Sequence, residues 1–470
     1  MSKSTTFCTI SLKANTLRAF NFFSLPLHHI LNLQAMSKQE KKALRQQIVC
    51  EWLARNYLDH HRLRHDIVTD RLQIREETIA PTDESREGNV VDDQVRWRNL
   101  TDKDINTMVC DCVMETQINV NVNEMWTALK SDRVPAVHPL REWLNGLRPY
   151  TPDQPDWIDW LAQRVTVVGG EPENQYWRHC FKKWFVAMVA SWMKDEVVNH
   201  TVLVFIGRQG IYKTTWLDHL IPDMLRDYSS KLPLSGQITK DDRLRLCENA
   251  MLNMDELDAI CGREMNIVKS LLTSTDVNER AAYGRLKERR VRLASFCAST
   301  NNRIFLTDIT GNRRWLPFEI ESIQNPFHTL IPYELIYAQA KALVDEGIFS
   351  YWFELEEIEV LEQHNEEFRV LENEEELLPV YFAVPAIDSM KSKFLTTAEI
   401  SEKLISAGNI KRPMSLSRLG MVLGKHGFIA SRQGMPARRG WIVYERDSEE
   451  VNAERKLLSR MPIASTDSYL

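Results

Sequence analysis

Gly207, Lys213 and Thr214 occupy three of the four fixed positions of the pattern G-x-x-x-x-G-K-[ST]. The apolar run Val202 to Ile206 precedes them, and Lys213-Thr214-Thr215-Trp216-Leu217 carries the chain onward with helical character. A buried strand, a tight turn and a helix in that order gather backbone N–H groups and a positive helix end around one point, which suits a phosphate. On this reading Gly207, Arg208, Gln209, Gly210, Ile211, Tyr212, Lys213, Thr214 and Thr215 form a nucleotide-binding turn. Lys213 brings a charge to the terminal phosphates, and the Thr214 hydroxyl is placed for magnesium. Tyr212 replaces the second glycine of the pattern, and Gly210 is an additional glycine that relaxes the loop.

Further groups follow at strand ends. Ala-Met-Leu-Asn-Met at 250–254 runs into Asp255-Glu256. An acid at the carboxyl edge of a neighbouring strand suits metal coordination, so Asp255 joins Thr214 as a metal ligand. Glu256 then stands where a carboxylate orients and deprotonates the attacking water. Asn253 is an unusual polar interruption of that strand. The run 293–301 reads as a third strand ending in Ser299-Thr300-Asn301, which brings the Asn301 amide near the γ-phosphate and the water. Gly311-Asn312-Arg313-Arg314-Trp315 supplies two guanidinium groups suited to charge that develops in phosphoryl transfer. The expected chemistry is hydrolysis of ATP with Mg2+.

Taken together, Gly-Arg-Gln-Gly-Ile-Tyr-Lys-Thr-Thr-Trp216, Met-Asp-Glu-Leu257, Lys269, Arg280-Ala-Ala-Tyr283, Ser-Thr-Asn301 and Thr-Gly-Asn-Arg-Arg-Trp315 resemble the virulence-associated protein E family. These are P-loop proteins of phages and mobile elements, related to superfamily-three helicases. The resemblance spans residues 125–320. It implies an AAA+ (ASCE-like) ring ATPase acting in element replication as a DNA helicase or translocase, with single-stranded DNA as partner and a homo-oligomer, a hexamer for instance, as the working form. It also implies that Asn301 is the sensor and that Arg313 or Arg314 is the finger. No primase domain is visible upstream, which leaves room for a separate primase partner. The departure at Tyr212 keeps an alternative open: a nucleotide-switched DNA-binding initiator or regulator with little hydrolysis.

The elements that must position these groups follow from patterning. Alternating strands and helices predict an α/β fold, a P-loop NTPase with a parallel sheet over 156–350. Trp177, Phe181, Trp184, Phe185, Met188 and Trp192 recur at helical spacing and are expected in its core. Residues 36–155 read as a helix-rich N-terminal module, with a strand at 63–78 and a boundary in the proline-containing 149–157. An acidic helical connector occupies 351–385, a winged-helix-like domain 386–447 and a tail 448–470. Residues 1–35 read as an over-extended start or disordered extension, because Met36 begins a second Met-Ser-Lys followed by a charged helical run.

The net charge of -6 requires any nucleic-acid contact to come from local clusters. Residues 279–292 hold six basic residues against Glu279 and Glu288, and Arg285, Lys287, Arg289 and Arg290 are expected to meet DNA. Arg418, Arg438 and Arg439 are the corresponding expectation in the C-terminal domain. Eight scattered cysteines form no CxxC pair, and the single CxC, Cys110 and Cys112, has no matching His or Cys pair at zinc-site spacing, so no metal site is expected there and a reducing cytoplasm suits. No run of about 18 apolar residues exists, so no membrane span is expected.

Overall fold

Helix starts in this chain are written into short polar pairs. Ser37 with Glu40, Thr101 with Asp104, and Asn121 with Glu124 each cap reciprocally, side chain to backbone in both directions. Each pair satisfies N–H groups that the first helical turn leaves unmade. The computed structural model describes residues 37–76, 96–232, 239–255, 257, 262–279, 287–307, 312–385 and 392–458. Glu256 and Arg285 lie outside the described residues, as do Arg280 and Tyr283.

The chain divides into two compact units, the first ending at His138. In the first, helices α1 (Lys38–Leu53), α2 (Asp102–Thr116) and α3 (Val122–Leu129) accompany strands β1 (Leu63–Asp66), β2 (Arg71–Arg75), β3 (Trp97–Asn99) and β4 (Ala136–Val137). The sheet order is β3-β2-β1-β4, with only β4 parallel to its neighbour. Val49, Trp52, Leu63, Leu72, Ile74, Ile105, Met108 and Met125 form its core. The module is therefore a sheet covered by helices and not helix-rich alone. Strands of three and two residues are too short to show alternation in the sequence. The expected boundary at 149–157 falls inside the second unit.

In the second unit, α4 (Pro139–Gly146), α5 (Trp157–Ala162) and β5 (Val165–Val167) lead into α6 (Gly170–Met193). There follow β6 (Val202–Ile206), α7 (Lys213–Asp218), β7 (Ser229–Lys231), α8 (Lys240–Glu248), β8 (Met251–Met254) and α9 (Gly262–Thr273). Next come β9 (Asp276–Glu279), β10 (Glu288–Val291), β11 (Ser295–Thr300), a 3-10 turn at Asn312–Arg314, β12 (Trp315–Ile323) and α10 (Tyr333–Glu346). The main sheet has the order β5-β12-β6-β11-β8-β7. All neighbours in it are parallel except β5, which runs against β12. This is a mixed α/β fold, and its central strand β6 is buried along its whole length. A strand covered on both faces reads as a continuous apolar run, which is how Val202 to Ile206 appears in the sequence.

The aromatic stripe of α6 packs onto this sheet. Trp177, Phe181, Trp184, Phe185, Met188 and Trp192 are fully enclosed. Trp177 lies edge-on to Phe205 of β6 and Phe318 of β12. The indole N–H of Trp177 donates to the Ala162 carbonyl and that of Trp184 to the Phe296 carbonyl, so neither is buried without a partner. Each enclosed side chain stabilises the fold by about 1.5–3 kcal/mol relative to exposure.

The acidic segment forms α11 (Leu355–Asn365) and α12 (Asn373–Tyr381), the latter leading into β13 (Phe382–Ala383). It packs closely with its neighbours: Glu374 and Glu375 are buried, and β13 pairs with the C-terminal sheet. That sheet contains β14 (Ser392–Leu395), β15 (Ile429–Gln433) and β16 (Arg438–Glu445). It is accompanied by α13 (Thr397–Gly408), which Thr396 and Glu399 cap, and by α14 (Leu416–Lys425), which Ser415 caps. A last helix, α15, spans Ser448–Leu458. No described helix is long and apolar enough to cross a membrane.

Candidate functional site

Parallel strands bring the sequence-distant groups to one edge. Register pairs Ile206 with Thr300, and Met254 with Ala298, so β6, β11 and β8 end near one level. Gly207, Asn301 and Asp255 are the residues that leave those strands. Gly207 N–H still donates to the Thr300 carbonyl, at 3.2 Å. Gly207 has φ 148°, and a Cβ there would come within 3.2 Å of the Ile320 carbonyl oxygen, so the turn starts where only glycine fits. Gly210 has φ 86°. Tyr212 itself adopts φ 67°, ψ 18° as the cap of α7, and its carbonyl accepts the Trp216 N–H at 2.8 Å. A left-handed conformation costs a non-glycine residue about 1–2 kcal/mol. The turn thus accommodates Tyr212 through the backbone of Tyr212 as well as that of Gly210.

Lys213 is buried. Its ammonium donates to the carbonyls of Gly207 and Arg208 and to Asn301 Oδ1, the last at 3.1 Å. Beside it, Thr214 Oγ1 donates to Asp255 Oδ1 at 3.1 Å and lies 3.1 Å from Ser299 Oγ. Ser299 Oγ donates to the same carboxylate oxygen at 2.8 Å, and Lys231 Nζ pairs with Asp255 Oδ2 at 2.8 Å. Burial opposes ionisation of Asp255. The Lys231 ammonium and the two hydroxyls outweigh it and hold the carboxyl below its ordinary value. Lys213, Thr214, Asp255, Ser299 and Asn301 line an open cleft of about 350 Å³ that also includes Gln209, Gly210, Tyr212, Thr215 and Thr300. An ammonium, main-chain N–H groups and a hydroxyl–carboxylate pair together suit a polyphosphate and a hard divalent cation. The oxygen donors Thr214 and Asp255 fit such a cation by chemistry and proximity. Arg208 and Gln209 are exposed at the mouth, and Ile211 is half-buried.

Two participants were not read from the sequence. Ser299 was seen only as part of a strand end, and Lys231 not at all. Lys231 reaches Asp255 because β7 pairs with β8, a neighbour relation that sequence spacing does not encode. Asn253 is accounted for differently: its amide donates to Asp218 Oδ1 at 2.8 Å and ties β8 to the end of α7.

The arginines are elsewhere. Trp315 pairs with Val202, at the start of β6, so Arg313 and Arg314 stand at the opposite sheet edge from Gly207. The five residues of β6 separate the two edges, about 16 Å at the usual strand rise. Arg314 lies close enough to Lys269 of α9 that burial and this second charge push the Lys269 ammonium down to about 8. Within one chain, then, the structure does not bring the arginines to the cleft.

The basic segment forms the β9–β10 ladder, which leads into the same far edge through β11. Lys287 and Arg289 are exposed, the latter paired with Asp276 at 2.9 Å. Arg290 is largely covered and bound to Glu248 at 2.9 Å. Arg292 is fully buried and donates to the carbonyls of Leu271, Leu272, Ser274, Ala294 and Asn199. In the C-terminal sheet, Arg438 and Arg439 are exposed on the β15–β16 hairpin, with Arg439 opposite Arg432. Arg418 differs from expectation. Its guanidinium turns inward to the Thr307 carbonyl at 2.7 Å and to Glu372 at 2.8 Å, because α14 packs its basic side against the acidic segment.

No curated protein matches the chain. Among solved structures, the apo C-terminal region of NrS-1 (its residues 305–718) is similar over 83% of this chain and 97% of that one, at 11% identity and TM-score 0.41. A second, A-form apo structure of that region gives 11% identity and TM-score 0.39 over 82% and 96%. The part of the chain that holds the cleft, residues 152–370, matches the model of the virulence-associated protein E-like domain.

Proposed function

We propose that this protein is a P-loop ATPase that acts on DNA as a helicase or translocase in the replication of a phage or mobile element. One observation carries the reading. Lys213, Thr214, Asp255, Ser299 and Asn301, from three neighbouring parallel strands and the turn between β6 and α7, meet in one cleft. The triphosphate of ATP takes over the Lys213 contacts now made to the Gly207 and Arg208 carbonyls. Thr214 and Asp255 hold Mg2+, which when bound neutralises charge on the phosphate oxygens. Asn301 orients the attacking water, and Glu256 accepts its proton. Arg313 or Arg314, at the far edge of the sheet, serves the cleft of a neighbouring copy, so the working form is an oligomeric ring. Single-stranded DNA is met by Lys287, Arg289 and Arg285 of the β9–β10 segment and by Arg438 and Arg439 of a winged-helix-like C-terminal domain. Arg290 and Arg418, both engaged within the chain, contribute less.

Tyr212 favours a second reading, a nucleotide-dependent DNA-binding switch with little hydrolysis, because a strained, bulky residue borders the phosphate turn. Steady-state ATPase assays with and without single-stranded DNA separate the two. The expected result is hydrolysis that DNA stimulates, abolished in Lys213→Ala through lost nucleotide binding. Glu256→Gln should retain ATP and stop turnover. Wild-type hydrolysis by Glu256→Gln would remove the assigned proton acceptor. Tight ATP binding without turnover in the native protein would establish the switch.

A further inference from the structure

We infer that Asn365 is a positioning residue for the two arginines, an inference that rests on the arginine role proposed above. Asn365 is the last residue of α11 and is fully buried. Its amide nitrogen donates to the Asn312 carbonyl at 2.8 Å and to the Trp315 carbonyl at 2.9 Å. Those two carbonyls bracket Arg313 and Arg314 in the chain. One NH2 group has two hydrogens, and here each fixes one end of the turn that carries the guanidinium groups. No other side-chain type of this size offers two donors on one atom.

The same segment grips the other limb of the connection between β11 and β12. The N–H groups of Phe305 and Leu306 both donate to the Phe368 carbonyl at 3.0 Å, and Val370 N–H returns to the Leu306 carbonyl at 2.8 Å. Residues 365–370 thus hold the chain just after the Asn301 strand end and again at the arginine turn. Their own position is set from the core: Glu357 of α11 pairs with Lys183 at 2.8 Å and with His179 at 2.9 Å, both on α6. Arg313 remains exposed at the end of this support, available to a second copy. Reach into a neighbour's cleft demands that a long side chain start from a fixed point, and misplacement of a reacting group by about 1 Å costs about a hundredfold in rate.

The test is directional mixing. Lys213→Ala keeps its arginines and lacks a working phosphate turn. The double variant Arg313→Ala, Arg314→Ala has the reverse defect. Asn365→Ala should bind a non-hydrolysable ATP analogue as the native protein does, yet hydrolyse ATP about a hundredfold more slowly. Mixed with Lys213→Ala it should recover activity, because it offers a sound turn to sound arginines. Mixed with the double arginine variant it should not. Asn365→Asp, equal in size but unable to donate to carbonyls when ionised, should behave alike and guards against failure of the alanine variant to fold. Recovery with the double arginine variant, native turnover in Asn365→Ala, or loss of analogue binding in both Asn365 variants would overturn the inference alone. Failure of Lys213→Ala to complement the double arginine variant, despite co-assembly, would overturn the trans role of the arginines and this inference with it.

Discussion

Tyr212 shows how a single residue can be tolerated at a cost. The turn keeps its shape with tyrosine in the left-handed region, a conformation that β-carbon contacts disfavour by about 1–2 kcal/mol. Glycine removes that penalty but carries more freedom in the unfolded chain, worth about 0.5–1 kcal/mol. Tyr212→Gly is therefore expected to gain up to about 1.5 kcal/mol in stability, while Tyr212→Ala, which keeps a β-carbon, gains nothing. Denaturant midpoints of the three proteins read the difference. Affinity for an ATP analogue should stay within about tenfold, or 1.4 kcal/mol, of the native protein. A much larger gain in the glycine variant would show that tyrosine weakens the site and would favour the switch.

At the scale of elements, β9, β10 and the start of β11 divide one basic run into two kinds of arginine. Arg292 is enclosed and satisfied by main-chain carbonyls of α9, the turn after it and the α6–β6 connection. Removing it takes a donor from the carbonyls of Asn199, Ser274 and Ala294, while those of Leu271 and Leu272 keep the Ser274 N–H and the His200 ring; each buried acceptor left unmade costs about 1–3 kcal/mol. Arg292→Ala should lower the unfolding free energy by about 3 kcal/mol or more. Arg289→Ala should leave stability within about 0.5 kcal/mol, since its pair with Asp276 is exposed. It should instead weaken single-stranded DNA binding and reduce the salt slope by about one unit. An unchanged salt slope would remove Arg289 from the DNA surface.

These elements also show how far the sequence speaks. Strands β6, β8 and β11 are legible because β6 is a continuous apolar run and the mostly apolar β8 and β11 lead into Asp255 and into Ser299-Thr300-Asn301. The groups after them, Lys213, Asp255 and Asn301, share a cleft as that pattern requires. The Lys231–Asp255 pair and the Asn365 clasp are not legible. Both depend on which strand or helix end lies beside which, and neither residue interrupts a pattern. The Arg418–Glu372 pair is hidden for a related reason: a basic residue on an amphipathic helix faces solvent or an acidic neighbour with the same sequence signature.

For the whole molecule, the proposed trans role of the arginines, which stand at the sheet edge opposite the cleft, makes activity a property of assembly. Specific ATPase activity should fall as the protein is diluted and dissociates, with sedimentation reporting the state at each concentration. Full activity in a verified monomer would refute the ring. DNA stimulation should decline as salt rises, because the contacts assigned to Arg289, Arg438 and Arg439 are to phosphates and release counterions.

The strand order has a further consequence during synthesis. β6 lies between β11 and β12, yet both partners are encoded about 90 residues or more after it. At roughly 5–20 residues per second, the segment Val202 to Ile206 waits several seconds before either neighbour exists. Through that interval Val-Leu-Val-Phe-Ile is an apolar ribbon with both edges unpaired, the kind of segment that nascent-chain chaperones shield. The strand that organises the finished sheet is thus its most vulnerable piece on the ribosome. A chain released before Trp315 would present that ribbon to other copies of itself.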